Sequence, residues 1–294
     1  MTSYNVSHKF CDDGSMSSAI VKMFQPENTI VMTGYNDGWK KTEYKSGDYI
    51  LFTDFCPKPE DLWDLYNQQI RFQVLDHHIS SINNLEKYKQ TDIEKYNQIM
   101  PYCKIDQNGK CGATMTWDWF NNNEKTRPEV LKYIEIADTW AWDKDENSKH
   151  ITQYIRTTTH QGSWKDMKAL LENFNVQEAI EKGKILSKRL ERDVEAICNK
   201  AHFLYIDGME VLSVNSGHDL SISEVGHELS KKSTNGIGLI YNIAYDEVKI
   251  SIRGQKGTSL ARELAEKLGG GGHNEASAAR CSIETLMTYF KKSN

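Results

Sequence analysis

Short apolar runs alternate with helically spaced stretches through the first half of the chain. Tyr4 to Ser7, Thr29 to Thr33, Tyr49 to Thr53 and Phe72 to Leu75 read as strands. Between them, Ser15 to Phe24 and Pro59 to Gln69 carry helical spacing. The second opens on Pro59, Glu60 and Asp61, where a fixed φ and negative charge suit the first helical turn. A βαβ rhythm of this kind predicts a mainly parallel sheet covered by helices. From Cys111 to Trp142 the pattern gives a helix, a turn at Asn121-Asn122-Asn123, and a helix through Val130, Leu131, Ile134 and Ile136. Val176 to Ala201 has no proline and a single glycine, Gly183, with Ile180, Ile185, Leu186, Leu190, Val194 and Ile197 set among charges, so one long connector helix is expected. The pattern then changes to strands at Phe203 to Ile206, Glu210 to Val214, Ile237 to Ala244 and Val248 to Arg253, with helices near Ile222 to Lys231 and Ser259 to Leu268. The expected fold class is α/β: a mainly parallel N-terminal domain over residues 1–175, a connector helix over 176–201, and a smaller α+β domain over 202–294.

Composition narrows this picture without changing it. At 294 residues, with 38% apolar and 26% charged positions, seven Trp and fourteen Tyr, the chain can bury a core and is long enough for two domains. Its six cysteines are scattered with no CxxC pair, and the opening Met-Thr-Ser-Tyr-Asn carries neither a basic nor an apolar leader pattern, so a reduced, cytoplasmic protein is expected. No apolar stretch approaches the roughly 18 residues a membrane span needs. The formal charge of −5 gives no basic footprint for a long duplex and no grip on a membrane. A short phosphorylated substrate is still compatible, because bound cations would cancel part of the acidity.

The candidate chemistry sits at predicted strand and helix ends. His8 with Asp13-Gly14, Asp54 after Ile50 to Thr53, Asp76-His77-His78 after Phe72 to Leu75, and Asp138 after Ile134 to Ala137 place carboxylates and imidazoles where ligands gather in open α/β sheets. Hard oxygen donors mixed with imidazole suit manganese, magnesium or a similar divalent ion. One shared carboxylate could bridge two ions about 3.5–4 Å apart, the arrangement that activates water for phosphoryl transfer. Near the C-terminus, Gly269-Gly270-Gly271-Gly272-His273 reads as a loop that lets backbone N–H groups approach phosphate. Arg253, at a strand end, could clamp a phosphate bidentately.

In this order the motifs resemble those of the DHH phosphoesterase superfamily with its DHH-associated C-terminal domain, over essentially the whole chain. The resemblance rests on His8, Cys11, Asp13 and Gly14, on Asp54, on Asp76-His77-His78, on Asp138 within Ala137-Asp138-Thr139-Trp140-Ala141-Trp142, and on the glycine-rich run with His273. It is nearest to the exopolyphosphatase-related, oligoribonuclease-like branch. What it implies is a phosphoric ester hydrolase with two divalent ions, manganese first and magnesium or cobalt as alternatives. Asp13, Asp54, His77 and Asp138 would hold one ion, and His8 with the shared Asp54 would serve the other. Asp76, His77, His78 and Asp54 form the catalytic set, with His78 on the scissile phosphate and Asp76 orienting the triplet. Arg253, Gly270, Gly271, Gly272 and His273 would grip substrate in a cleft between the domains.

Two departures from the family pattern stand out. Cys11 occupies a position where many relatives carry an additional Asp, leaving three readings: Cys11 ligates as thiolate, Asp12 substitutes, or the second ion binds only with substrate, which is favoured. Ala276-Ser277-Ala278 stands where a glycine often follows the alanines. Outside the motifs, Gly112-Ala113-Thr114 opens a predicted helix whose N–H groups could bind phosphate. Trp117, Trp119, Trp140 and Trp142 are expected in the core, and His218 and His227 in solvent. The reading is a two-metal phosphodiesterase acting on short oligonucleotides or related nucleotides, with no long duplex or membrane partner and homodimerisation left open. Its alternatives are an exopolyphosphatase or nucleotide phosphomonoesterase, and a non-catalytic nucleotide sensor.

Overall fold

The computed structural model describes residues 1–34, 38–106, 108–122, 124, 126–160, 162–217 and 221–290. It divides into two compact units, Met1–Ser187 and Lys188–Asn294.

The first unit opens as β1 (Ser3–His8), α1 (Asp12–Phe24), β2 (Thr29–Thr33), β3 (Tyr49–Thr53), α2 (Pro59–Asn67) and β4 (Arg71–Asp76). It continues with α3 (Ile79–Thr91), α4 (Ile93–Ile99), β5 (Cys103–Ile105), α5 (Gly112–Asn121), α6 (Glu129–Asp138), α7 (Ser148–Thr158) and α8 (Trp164–Asn173). The five strands form one sheet in the order β2-β1-β3-β4-β5, and every pairing is parallel, as the βαβ rhythm predicts. Alternation sorts the side chains of β3 onto two faces. Ile50 and Phe52 pack with Leu62, Leu65 and Leu85 of α2 and α3, while Leu51 packs with Val21 of α1 and Leu75 of β4. A parallel strand covered on both sides must be apolar throughout, hence the uninterrupted runs in the sequence. A second core of helices joins Met16 and Ile20 of α1 to Trp117, Leu131, Ile134, Ile151 and Met167.

Chain order reverses direction between β1 and β3: β2 lies on one side of β1, and β3 and β4 on the other. Such a switch point opens a crevice at the carboxyl ends of the strands. His8, Asp54 and Asp76 all fall there.

The helix α9 (Val176–Cys198) contains the division between the units. The second unit then runs β6 (His202–Ile206), β7 (Met209–Asn215), α10 (Ile222–Lys232), β8 (Ile237–Ala244), β9 (Glu247–Gly254), α11 (Leu260–Lys267), β10 (Gly271–Gly272), β11 (Ala276–Ser282) and α12 (Ile283–Tyr289). Its sheet, β10-β11-β9-β8-β7-β6, is mixed: β7 and β8 pair in parallel across α10, and the other neighbours are antiparallel. Val194 and Cys198 of α9 and Val225 and Leu229 of α10 pack with Val214 and Ile240, whereas α11 and α12 pack with Leu239, Val248, Ile250 and Ile252. No helix among the described residues is long and apolar enough to cross a membrane.

Candidate metal centre

Seven of the residues singled out in the sequence converge at the carboxyl end of the first sheet: His8, Cys11, Asp13, Asp54, His77, His78 and Asp138. The local chain explains how each is held. Asp13 lies in the first turn of α1, and its two oxygens accept the N–H groups of Gly112 and Ala113 at 2.6 and 2.7 Å. These are the unpaired amides at the start of α5, where the helix dipole favours negative charge. The expectation that they bind phosphate is thereby corrected, because Asp13 occupies them. Only glycine fits at position 112: a Cβ there would lie 2.5 Å from the Cβ of Asp54 and 2.9 Å from Oδ2 of Asp13. Gly14 is equally confined, since its Cβ would fall 2.1 Å from the carbonyl oxygen of His8.

Asp54 follows β3 in the left-handed region, φ 53°, with its N–H donated to the Leu75 carbonyl at 2.9 Å. Asp and Asn enter that region more readily than other L residues because their short polar side chains can bond locally. Its carboxylate is 2% exposed and accepts from the Cys11 thiol at 3.0 Å. Asp76, fully buried at the end of β4, takes the Ser81 hydroxyl at 2.5 Å and His78 Nδ1 at 2.7 Å. Burial pushes the Asp76 carboxyl up, but these bonds and the charge of His78 outweigh it and hold the group below the usual carboxylate range. In His78, burial pulls the pKa down while Asp76 pushes it up to about 9, so the ring is a cation at neutral pH. His8 moves the other way, down to about 4, first through burial and then through the charge of His78, and is neutral.

The centre of the cluster is His77. Its Nε2 lies 3.3 Å from Asp54 Oδ1, 3.3 Å from Asp138 Oδ2 and 3.6 Å from Asp13 Oδ2. The atom is buried and makes no well-aligned hydrogen bond with any of them, although Asp54 is near enough to hold its proton. A nitrogen 3.3–3.6 Å from three carboxylate oxygens fits ligands of a shared cation, since with bonds of about 2.1 Å neighbouring ligands of an octahedral ion stand about 3 Å apart; Asp13, His77 and Asp138 offer atoms within 4.8 Å of one another, as do Asp54, His77 and His78. Electrostatics agrees. Burial first, then the charge of Asp13, pushes the Asp54 carboxyl up to about 8, and Asp138, at the rim with 28% side-chain exposure, moves the same way. Burial pulls His77 down, and the surrounding carboxylates drive it up to about 10. The carboxylates resist sharing the space unless positive charge is supplied, and a divalent ion supplies it. His8, Cys11 and Asp54 form an adjoining group, with ligand atoms within 4.8 Å of one another, so Asp54 belongs to both.

Sequence reasoning missed the groups that hold the ligands in place. Arg127 donates to both oxygens of Asp118, at 2.9 and 2.5 Å, and pairs with Glu135 at 3.5 Å, while Thr114 donates to Glu135 at 2.7 Å. This ties α5, which caps Asp13, to α6, which carries Asp138. Asp12, the offered substitute ligand, accepts Arg156 Nε at 3.1 Å.

The remaining predicted residues belong to the second unit. Arg253, near the end of β9, bonds the Ile252 carbonyl at 3.0 Å and Ser223 Oγ at 3.1 Å, and its stem lies over Gly226, where a Cβ would come within 2.5 Å. Its Nε is buried without a hydrogen-bond partner. Burial lowers the guanidinium pKa, and Glu224 opposes that shift. The glycine run links the end of α11 to the short strand β10, with Gly270 N–H donated to Ala265 at 2.8 Å and His273 N–H to Ala276 at 2.8 Å, so those two amides are engaged within the unit. Gly270 and Gly272 are required by close backbone contacts with β11, whereas Gly271 borders open space. Ser277, at the departure from the family pattern, bonds the His273 carbonyl at 2.6 Å. Of the tryptophans, Trp117 is in the core as expected, but Trp140 is 41% exposed in a left-handed conformation. His227 is half-buried rather than exposed, and His218 lies outside the described residues.

No family model matches the chain. It is 28% identical over 240 residues to an uncharacterized protein, R106, of Acanthamoeba polyphaga mimivirus; the match covers 78% of this chain and 52% of the relative, so the chain spans about half the length of the curated relative it matches. Among solved structures it is similar to PggH of Vibrio cholerae, a pGpG-specific phosphodiesterase, with 14% identity, 96% and 94% of the two chains covered and a TM-score of 0.54. An exopolyphosphatase-related protein of Bacteroides fragilis aligns with 12% identity over 98% and 90% of the chains, at a TM-score of 0.45. At these identities the likeness to PggH is one of fold.

Proposed function

We propose that the chain is a metal-dependent phosphoesterase that hydrolyses phosphodiester bonds in short oligonucleotides or related nucleotides. The observation that carries the reading is the buried His77 Nε2, within 3.3–3.6 Å of three carboxylates and without a well-aligned hydrogen bond to any. The fold shared with a pGpG-specific phosphodiesterase supports it, as does the net charge of −5, which disfavours long duplexes.

Asp13, Asp54, His77 and Asp138 would hold one divalent ion, and His8 with the shared Asp54 would serve a second. When bound, such ions acidify water and offset charge gathering on phosphoryl oxygens. The chain's own part is positioning and proton control. Asp13 is oriented by two helix amides, and His78 is bonded to Asp76, which favours the imidazolium that would donate to a phosphoryl oxygen. Substrate binding is assigned to Arg253, Gly270, Gly271, Gly272 and His273 as part of the same proposal.

The test is manganese-dependent cleavage of a 5′-labelled RNA dinucleotide and pentanucleotide by the wild type and by Asp54→Ala and Asp76→Ala. Release of mononucleotide that both variants lose is the expected result. Folded, manganese-loaded protein that leaves both RNAs intact refutes it. Brisk phosphate release from polyphosphate would then identify an exopolyphosphatase, and tight nucleotide binding without turnover a sensor.

A further inference from the structure

We propose that Cys11 is itself a ligand, and that with His8 and Asp54 it builds a second cation site selective for a thiophilic divalent ion of the zinc or cobalt class. The inference rests on the metal-dependent reading above and makes the two sites chemically unlike. Asp13, Asp54, His77 and Asp138 offer three oxygens and one imidazole, a hard set suited to manganese or magnesium. One sulfur, one imidazole and one carboxylate form a softer set.

Three observations place the sulfur at the site. Its Sγ stands 3.0 Å from Asp54 Oδ2, and His8 Nδ1 is 4.0 Å from that same oxygen. Zinc bonds of about 2.3 Å to sulfur and 2.0–2.2 Å to nitrogen and oxygen put tetrahedral ligands about 3.5 Å apart, so each pair needs a shift of about 0.5 Å, the sulfur outward and the imidazole inward. Three protein donors leave one position open, the pattern of catalytic rather than structural sites. Second, Sγ is the N-cap of the thirteen-residue helix α1, where it accepts the Gly14 N–H at 3.0 Å. That bond fixes the sulfur beside Asp54 and His8; burial and then the Asp54 and Asp13 charges push the thiol pKa up, so it is the arriving ion that displaces the proton. Third, the competing oxygen donor is engaged elsewhere, because Asp12 pairs with Arg156 at 3.1 Å. Among the described residues no other cysteine joins a group of this kind. On binding, the thiol releases its proton to solvent and its sulfur lone pair to the ion, with no change of oxidation state.

Cobalt(II) reports sulfur ligation directly, through a thiolate-to-metal charge-transfer band in the near ultraviolet. The experiment adds cobalt to the reduced 294-residue chain under nitrogen and records the spectrum at saturation. The expected result is a band that saturates at one ion per chain, is displaced by zinc, and is abolished in Cys11→Ser, which keeps an oxygen to cap Gly14. Cys11→Asp should bind a second manganese without the band. Cobalt-saturated wild type that lacks the band, or a band that survives Cys11→Ser, overturns the inference. If manganese binding and RNA cleavage persist in that case, the phosphoesterase reading stands alone. If no divalent ion binds at all, both fall.

Discussion

Gly112→Ala reverses the sign that helix propensity predicts. The residue opens α5 outside the left-handed region, and on propensity alone alanine there would stabilise by about 0.5–1 kcal/mol. The added Cβ, however, would lie 2.8 Å from the Cα of Asp54, 2.5 Å from its Cβ and 2.9 Å from Asp13 Oδ2. Asp54 cannot retreat, because it is 2% exposed and its N–H is fixed to Leu75. The start of α5 must back away instead, which lengthens the 2.6 and 2.7 Å amide bonds to Asp13. Overpacking costs about 1–3 kcal/mol, and weakening bonds to a charged acceptor adds to that. Taking about 3 kcal/mol of loss against about 1 of gain leaves roughly 2 kcal/mol, which in a unit of this size lowers Tm by about 4–8 °C. Because the displaced bonds hold a metal ligand, manganese affinity should also fall, by about tenfold for each 1.4 kcal/mol the site loses. Thermal melts with chelator and titration calorimetry with manganese read the two effects. A variant that melts at or above the wild type with unchanged manganese affinity would refute the steric argument.

Three further expectations concern other parts of the same picture. Gly271→Ala adds a Cβ with no atom within 4 Å, so stability should stay within about 0.5 kcal/mol while KM for a dinucleotide rises; an unchanged KM removes this turn from the substrate-binding assignment. Burial lowers and Asp76 raises the pKa of His78, with a net rise from 6.5 to about 9, so its contribution of about 3 kcal/mol is complete below pH 6.5 and is lost as pH climbs through 9. Urea midpoints of chelated protein should therefore fall over that window, and Asp76→Asn should flatten the slope; a slope equally steep in the variant contradicts the assignment. Above about pH 8, where its carboxyl would ionise, Asp54→Asn should raise the melting temperature of chelated protein while abolishing manganese binding, because asparagine keeps φ 53° accessible and carries no charge; a lower melting temperature would count against the crowding argument.

How much of this was legible in the sequence depended on whether side chains or backbone did the work. The runs of β3 and β4 announce themselves because both faces are buried, whereas α3, with Asn83, Asn84, Glu86, Lys87 and Lys89 along it, shows only Ser81, Leu85 and Tyr88 to the core and offers little periodic contrast. The strand β11 was equally faint, since Ala-Ser-Ala-Ala-Arg-Cys-Ser has no apolar run and is a strand because it pairs with β9 over its whole length. The metal-centre residues could be picked out by type and place: Asp54 and Asp76-His77-His78 at strand ends, Asp138 at a helix end. Their supports could not. Asp13 is held by amides 99 and 100 positions away, and an amide carries no residue identity. Only the glycine at 112 hinted at a close approach, and the sequence reading gave it to phosphate.

A buried charge needs a partner, and the partners chosen here explain why the centre favours a cation. Asp13 receives two neutral amides, Asp54 a thiol, and Asp76 a hydroxyl and the one imidazolium that the fold itself stabilises through a direct bond. Neutral donors satisfy hydrogen-bonding capacity, and the charge that offsets Asp13, Asp54 and Asp138 without an ion is the proton those carboxylates hold on His77. The guanidinium groups on the surrounding helices are directed to other acids, Arg156 to Asp12 and Arg127 to Asp118 and Glu135. An arginine bonded to Asp54 would have stabilised the apo protein and filled the position an ion needs. By supporting its ligands with dipoles and a removable proton on His77 instead of a fixed guanidinium, the fold keeps them aligned, and a divalent ion takes the place of that proton on binding.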